Sequence, residues 1–82
     1  MSYEKVAKAN KIIVGSKQTV RALKAGEVME LVIAEDADAK VTADLVRIAS
    51  EMNTAISYVD SMKKLGKACG IAVGASAVAI TK

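Results

Sequence analysis

The chain has 82 residues, 52% of them apolar, with 12 basic and 9 acidic side chains and a net charge of +3. That length fits one domain, and abundant aliphatics with charges of both signs exclude a disordered chain. No histidine and a single cysteine, Cys69, leave no ligand set for zinc and no internal disulfide, which fits a reducing cytoplasm.

The apolar side chains are Ala, Val, Ile, Leu and Met, and the only aromatics are Tyr3 and Tyr58. Such residues suit thin helices lying close on a sheet. The start, Met1-Ser2-Tyr3-Glu4-Lys5, runs into a charged helical pattern rather than a secretory leader. The longest uncharged run, Ala68 to Thr81, has 14 residues. A membrane-spanning helix needs about 20, so no membrane partner is expected. Charge is segmented. Residues 1–26 hold six basic and one acidic side chain, residues 27–60 two and eight, and residues 61–82 four and none. If the two basic ends meet in space they form one positive face, which suits a polyanion; dispersed solvated charge is the other reading.

In chain order, Tyr3 to Lys11 reads as a helix with Val6, Ala9 and Asn10 on one face. Ile12-Ile13-Val14 reads as a short buried strand. Gly15 breaks it, and a second helix follows to Gly26, a residue suited to end one. Met29 to Ala34 is the second strand, closed by the loop Glu35-Asp36-Ala37-Asp38. Thr42 is the expected N-cap of a third helix that carries Leu45, Val46, Ile48, Ala49 and Met52 at helical spacing and stops at Asn53. Ala55 to Val59 is a third strand. Asp60 or Ser61 then caps a short helix through Cys69, and Ala75 to Thr81 is the last strand. Alternating helices and strands predict an α/β fold, a three-layer α/β/α sandwich on a four-stranded mixed or parallel sheet, with parallel pairs joined by helices.

Two stretches stand out. In Gly15-Ser16-Lys17-Gln18-Thr19-Val20-Arg21-Ala22-Leu23-Lys24-Ala25-Gly26, Val20, Ala22 and Leu23 turn inward while Lys17, Arg21 and Lys24 form a basic stripe. A helix start has free N–H groups and a positive dipole end, which welcome carboxylates. Here the first turn adds cations and Gln18 instead, an arrangement suited to an external anion such as phosphate, with Lys, Gln and Arg also able to meet base edges. A plain solvated face is the alternative. Neither a P-loop nor a G-x-G-x-x-G spacing is present. In the second stretch, Leu65 to Ile80, Gly66, Gly70 and Gly74 recur every four residues. A helix ending at Gly70, the loop Ile71-Ala72-Val73-Gly74 and a strand account for it. The loop is expected at the same strand ends as the Gly15 helix start, where Ile71 and Val73 either cover an unstacked base or belong to the core.

On these residues, and on Val32 to Asp38, the chain resembles the ribosomal protein L-seven-Ae family over essentially its whole length, particularly the short bacterial YbxF-type members. The resemblance implies an α/β/α sandwich that binds kink-turn RNA, a bent duplex with tandem sheared G·A pairs beside a bulge. It implies that Lys17 and Gln18 face the G·A pairs, that Arg21 meets a guanine edge or backbone, and that Gly15 allows close approach of the RNA, at a helix front that also offers the hydroxyls of Ser16 and Thr19. Lys24 continues the cationic stripe. Ile71, Ala72 and Val73 would cover a bulge nucleotide with Gly74, Ala75 and Ser76 behind them. Lys17 and Gln18 stand where archaeal and eukaryotic relatives carry Asn-Glu, and Met62 where many carry lysine.

The expected function is therefore non-catalytic RNA binding by a cytoplasmic monomer, with structured RNA and the ribosome as partners and no metal or cofactor. A protein-binding scaffold for ribonucleoprotein or ribosome assembly, acting through the acidic middle, is the alternative. Glu35, Asp36 and Asp38 admit a third reading, as ligands of a hard cation, or as holders of a basic side chain that meets RNA. No nucleophile with a nearby base supports catalysis. Cys69 reads as a small buried packer rather than a redox sensor.

Overall fold

The computed structural model describes residues 2–9 and 11–82. Its elements are α1 (Ser2–Lys8), β1 (Ile12–Val14), α2 (Ser16–Lys24), β2 (Val28–Ala34), α3 (Ala39–Glu51), β3 (Ala55–Val59), α4 (Met62–Ala68) and β4 (Ala77–Thr81). The expected share of Asn10 in the α1 face lies outside the described residues. The first helix stops at Lys8, short of the expected Lys11. Lys11 is drawn into the sheet instead, where its carbonyl accepts from the backbone N–H and the hydroxyl of Thr81, both at 3.2 Å.

The strands lie in the order β1-β4-β2-β3, a mixed sheet. Only β2 and β3 pair in parallel; β4 runs antiparallel to both β1 and β2. The expectation of parallel pairs thus fails at β4, and the reason lies between α4 and β4. Helix α4 has seven residues. The chain then doubles back along it: Ile71 N–H donates to the Gly66 carbonyl at 3.1 Å, and Ala75 N–H to the Met62 carbonyl at 3.0 Å. By Ala75 the chain has returned to the end where α4 began, so β4 enters the sheet opposite to β3.

Period-two alternation splits the core into two layers. Leu31 and Ile33 of β2, with Ala77 and Ala79 of β4, pack under Ala22 and Leu23 of α2 and Leu45, Ile48 and Ala49 of α3. Val32, Ala34, Val78 and Ile80 point the other way, against Val6 of α1 and Leu65 of α4. The result is the expected α/β/α sandwich. A register shift between Val28 and Glu30 lets both Val28 and Leu31 face the first layer. The side chains that β4 places beneath α2 and α3 are the small Ala77 and Ala79.

Polar ties fasten α1 across the second layer. Lys5 reaches Glu30 at 3.4 Å, and Ser57 donates to the same carboxylate. Tyr3 donates to Asp60 and accepts from Ser61 N–H at 3.1 Å. Asp60 is held below the ordinary carboxyl range by the Tyr3 hydroxyl first and then by Lys64. The Tyr3 phenol is pushed up by desolvation and by its bond to Asp60. Cys69 packs on the same layer, and burial pushes its thiol up, as befits a packing residue rather than a reactive thiolate.

Candidate nucleic-acid interface

Because β1 and β2 both run antiparallel to β4, and β3 runs parallel to β2, the first three strands point the same way. The helices that follow them, α2, α3 and α4, therefore all begin at one end of the sheet. β4 starts there too, since Val14 pairs with Val78 and Ile33 with Ala77. One end thus gathers three helix starts, the acidic loop and the approach to β4 from Gly74 to Ser76.

Two of those helix starts are closed by side chains. Asp38 caps α3, accepting from Lys40 N–H at 2.9 Å. Thr42, the expected cap, lies one turn inside, where its hydroxyl donates to the carbonyls of Asp38 and Ala39 at 3.4 and 3.5 Å. Ser61 caps α4 through Lys64 N–H at 3.2 Å, and Asp36 reaches across from the acidic loop to Met62 N–H at 2.8 Å. The acidic loop is therefore a capping loop. Asp36 holds a backbone amide rather than a basic side chain, and neither it nor Glu35 forms an ion pair among the described residues.

The start of α2 is different. Gly15 stands at its N-cap with φ 106°, in the left-handed region that favours glycine, and no side chain caps the helix. The first intrahelical bond is Thr19 N–H to the Gly15 carbonyl at 3.0 Å, so the amides of Ser16, Lys17 and Gln18 precede it. Lys17, Gln18 and Arg21 are exposed around this opening, and Ser16 is half-buried. Lys24 is exposed as well, but about 10 Å farther along the axis, so the fold does not bring it to the opening.

The segment Ile71–Ser76, which enters β4 at this end, is braced along α4. Gly66 lies against the Val73 carbonyl, and Gly74 against the backbone of Met62. Ile71, Ala72, Val73 and Gly74 are exposed, and Val73 is 70% accessible, so Ile71 and Val73 are presented outward rather than packed in the core. Ala75 is buried in the second layer and supports the segment from behind. Ser76 is half-buried and its carbonyl accepts from Ala34 N–H at 3.0 Å, which stitches the segment to β2. Met62 packs into the second layer too. Helices α2 and α4 cover opposite faces of β4, so the basic residues of α2 and those of α4 lie on different sides of the sheet, and Lys82 lies at the end opposite to both helix starts. One cation escaped the sequence reading. Lys40, in the first turn of α3, lies beside Lys17 and Arg21 across a groove, though it belongs to the acidic middle of the chain.

Comparison with known proteins agrees with the resemblance. Residues 2–82 match the ribosomal protein L7Ae/L30e/S12e/Gadd45 family. The chain is 57% identical to the RNA-binding protein YbxF of Geobacillus stearothermophilus over 82 residues, all of both chains. It is 60% identical to an RNA-binding protein of Bacillus pumilus over 80 residues, 98% of each. Among solved structures, the 15.5kD RNA binding protein of Giardia lamblia shares the fold with a TM-score of 0.86 at 22% identity, over 98% of this chain and 68% of that one. The chain belongs to the ribosomal protein L7Ae/L30e/S12e/Gadd45 family.

Proposed function

We propose that this protein is a non-catalytic RNA-binding protein of the cytoplasm that recognises and stabilises kink-turn RNA as a monomer, in ribosomal or other structured RNA. The observation that carries the reading is an uncapped, cation-bearing start of α2 at the end of the sheet where an outward-facing apolar segment, braced on α4, leads into β4. The names of the relatives in Geobacillus and Bacillus support the RNA part of it.

In this reading the free amides and the dipole of α2 attract a phosphate. Lys17 and Gln18 meet the sheared G·A pairs in the widened major groove. Gln18 both accepts and donates, so it can satisfy an amino group and a ring acceptor together. Arg21 contacts a guanine edge or the backbone. Ile71 and Val73 cover the bulge nucleotide, whose extrusion exposes an apolar ring face. The protein binds only the bent form, so its binding energy shifts the RNA toward the bend.

The test is affinity for a kink-turn duplex against the same duplex with its G·A pairs replaced by Watson–Crick pairs. The kinked RNA is expected to bind far more tightly. Equal affinities would refute kink-turn recognition.

A further inference from the structure

Helices α2 and α3 start at the same end and cover the same face of the sheet, so they lie side by side in the same direction. Between them runs an open groove of about 510 Å³. Lys17 and Arg21 line one bank and Lys40 the other, while Val20, Val41 and the buried Leu45 form its floor. None of the three cations has a carboxylate within ion-pair distance among the described residues. Asp44 also lines the groove, but it lies 3.9 Å from Arg47 on its own helix.

Three uncompensated cations around an apolar strip suit a chain that is charged along its edge and less polar along its face. A phosphodiester strand has that character, with phosphates outward and ribose faces available to Val20 and Val41. Lys17 and Arg21 sit about 6 Å apart along the axis, comparable with the step between successive phosphates of an A-form strand. The same two residues belong to the α2 start, so a strand that passes the helix start runs on into the groove without leaving the protein.

We infer that this groove holds the backbone of the RNA stem adjoining the kink, with Lys40 as a further phosphate contact. The inference rests on the RNA reading above and extends the footprint from α2 onto α3. Val41 and Leu45, which line the groove with Lys40 on α3, offer no hydrogen-bonding group for base edges; Ser16 lines it from the α2 side. Lys40 therefore adds affinity without selectivity.

The test is a salt titration of kink-turn RNA and of the Watson–Crick control duplex with wild-type protein, Lys40→Ala and Lys40→Arg. For Lys40→Ala the slope of log affinity against log salt is expected to fall by about one. Affinity should drop roughly fivefold at moderate salt, as for one exposed ion contact. The ratio between the two RNAs should stay unchanged, and Lys40→Arg should restore the slope. Shortening the stem next to the kink should abolish the difference between wild type and Lys40→Ala. A wild-type slope in Lys40→Ala overturns the inference and leaves the groove to a partner other than RNA. An effect that survives stem shortening, or a changed ratio, overturns it as well. Equal binding of the two RNAs by wild-type protein would sink kink-turn recognition alone, because the slope change would still report the groove contact.

Discussion

The carbonyl oxygen of Val73 occupies the space in which a side chain at Gly66 would begin, so the exposed loop rests directly on helix α4. A methyl at Gly66 has to push that carbonyl away and with it Ile71, whose N–H is bonded to Gly66. Gly66→Ala is expected to cost about 1–3 kcal/mol by overpacking and to weaken kink-turn binding beyond its effect on stability. Gly74→Ala meets Met62 atoms at 3.3 Å and should be milder. Urea melts paired with RNA titrations rank the two; a harmless Gly66→Ala would contradict the bracing on α4.

Lys17 and Arg21 are exposed and free of ion pairs among the described residues. Lys17→Ala with Arg21→Ala should move folding stability by no more than about 0.5 kcal/mol and abolish tight kink-turn binding. Thermal unfolding and an RNA titration on one preparation check both halves. Undiminished binding by the folded double variant would remove the assigned surface.

Asp38, not Thr42, closes α3. Asp38→Ala should destabilise by about 1 kcal/mol through the lost cap. Thr42→Ala removes only weak hydroxyl bonds to preceding carbonyls and should change the denaturation midpoint little. Equal losses would return the cap to Thr42.

The Tyr3–Asp60 tie has a pH signature. Asp60 is depressed below its ordinary value of 3.8, so it contributes stability above that value and loses it as pH falls through the lower, folded-state value. Tyr3 is raised above 10.0, so its contribution is present below that value and fades as pH rises past it. Tyr3→Phe removes the hydroxyl from both. Relative to wild type it should lose stability at neutral pH and lose less both in strong acid and above pH 10. Melts across the pH range check this, and a difference independent of pH would refute the coupling.

Much of this architecture is written locally. Ile12–Val14 is a β-branched run and Ala55–Val59 a short stretch holding Ile56, Tyr58 and Val59, each bounded by breakers, and the structure returns both with the expected bounds as β1 and β3, although β1 is half-buried rather than buried. The basic stripe of α2 follows from spacing, whereas the exposure of Ile71 and Val73, which the sequence leaves open against a place in the core, is decided by the fold. The α3 cap was misread because Asp38 and Thr42 are both good caps one turn apart, and the apolar spacing from Leu45 onward is silent about Ala39-Lys40-Val41. The direction of β4 was hidden for another reason. It depends on Gly66 meeting Val73 and on Met62 meeting Ala75, contacts made only once the segment folds back on α4. Lys40 was missed because net charge by segment assigned it to an acidic region, whereas its place one helix away from Lys17 emerges only when α2 and α3 lie abreast.

The position of β4 between β1 and β2 also governs how the fold holds together. The strand last in chain order among the four is a central one, and without it β1 has no neighbour in the sheet and each helical layer loses the side chains that β4 places beneath it. The end that carries the α2 opening is therefore held together by the pairing of β4 with β1 and β2, two contacts distant in sequence.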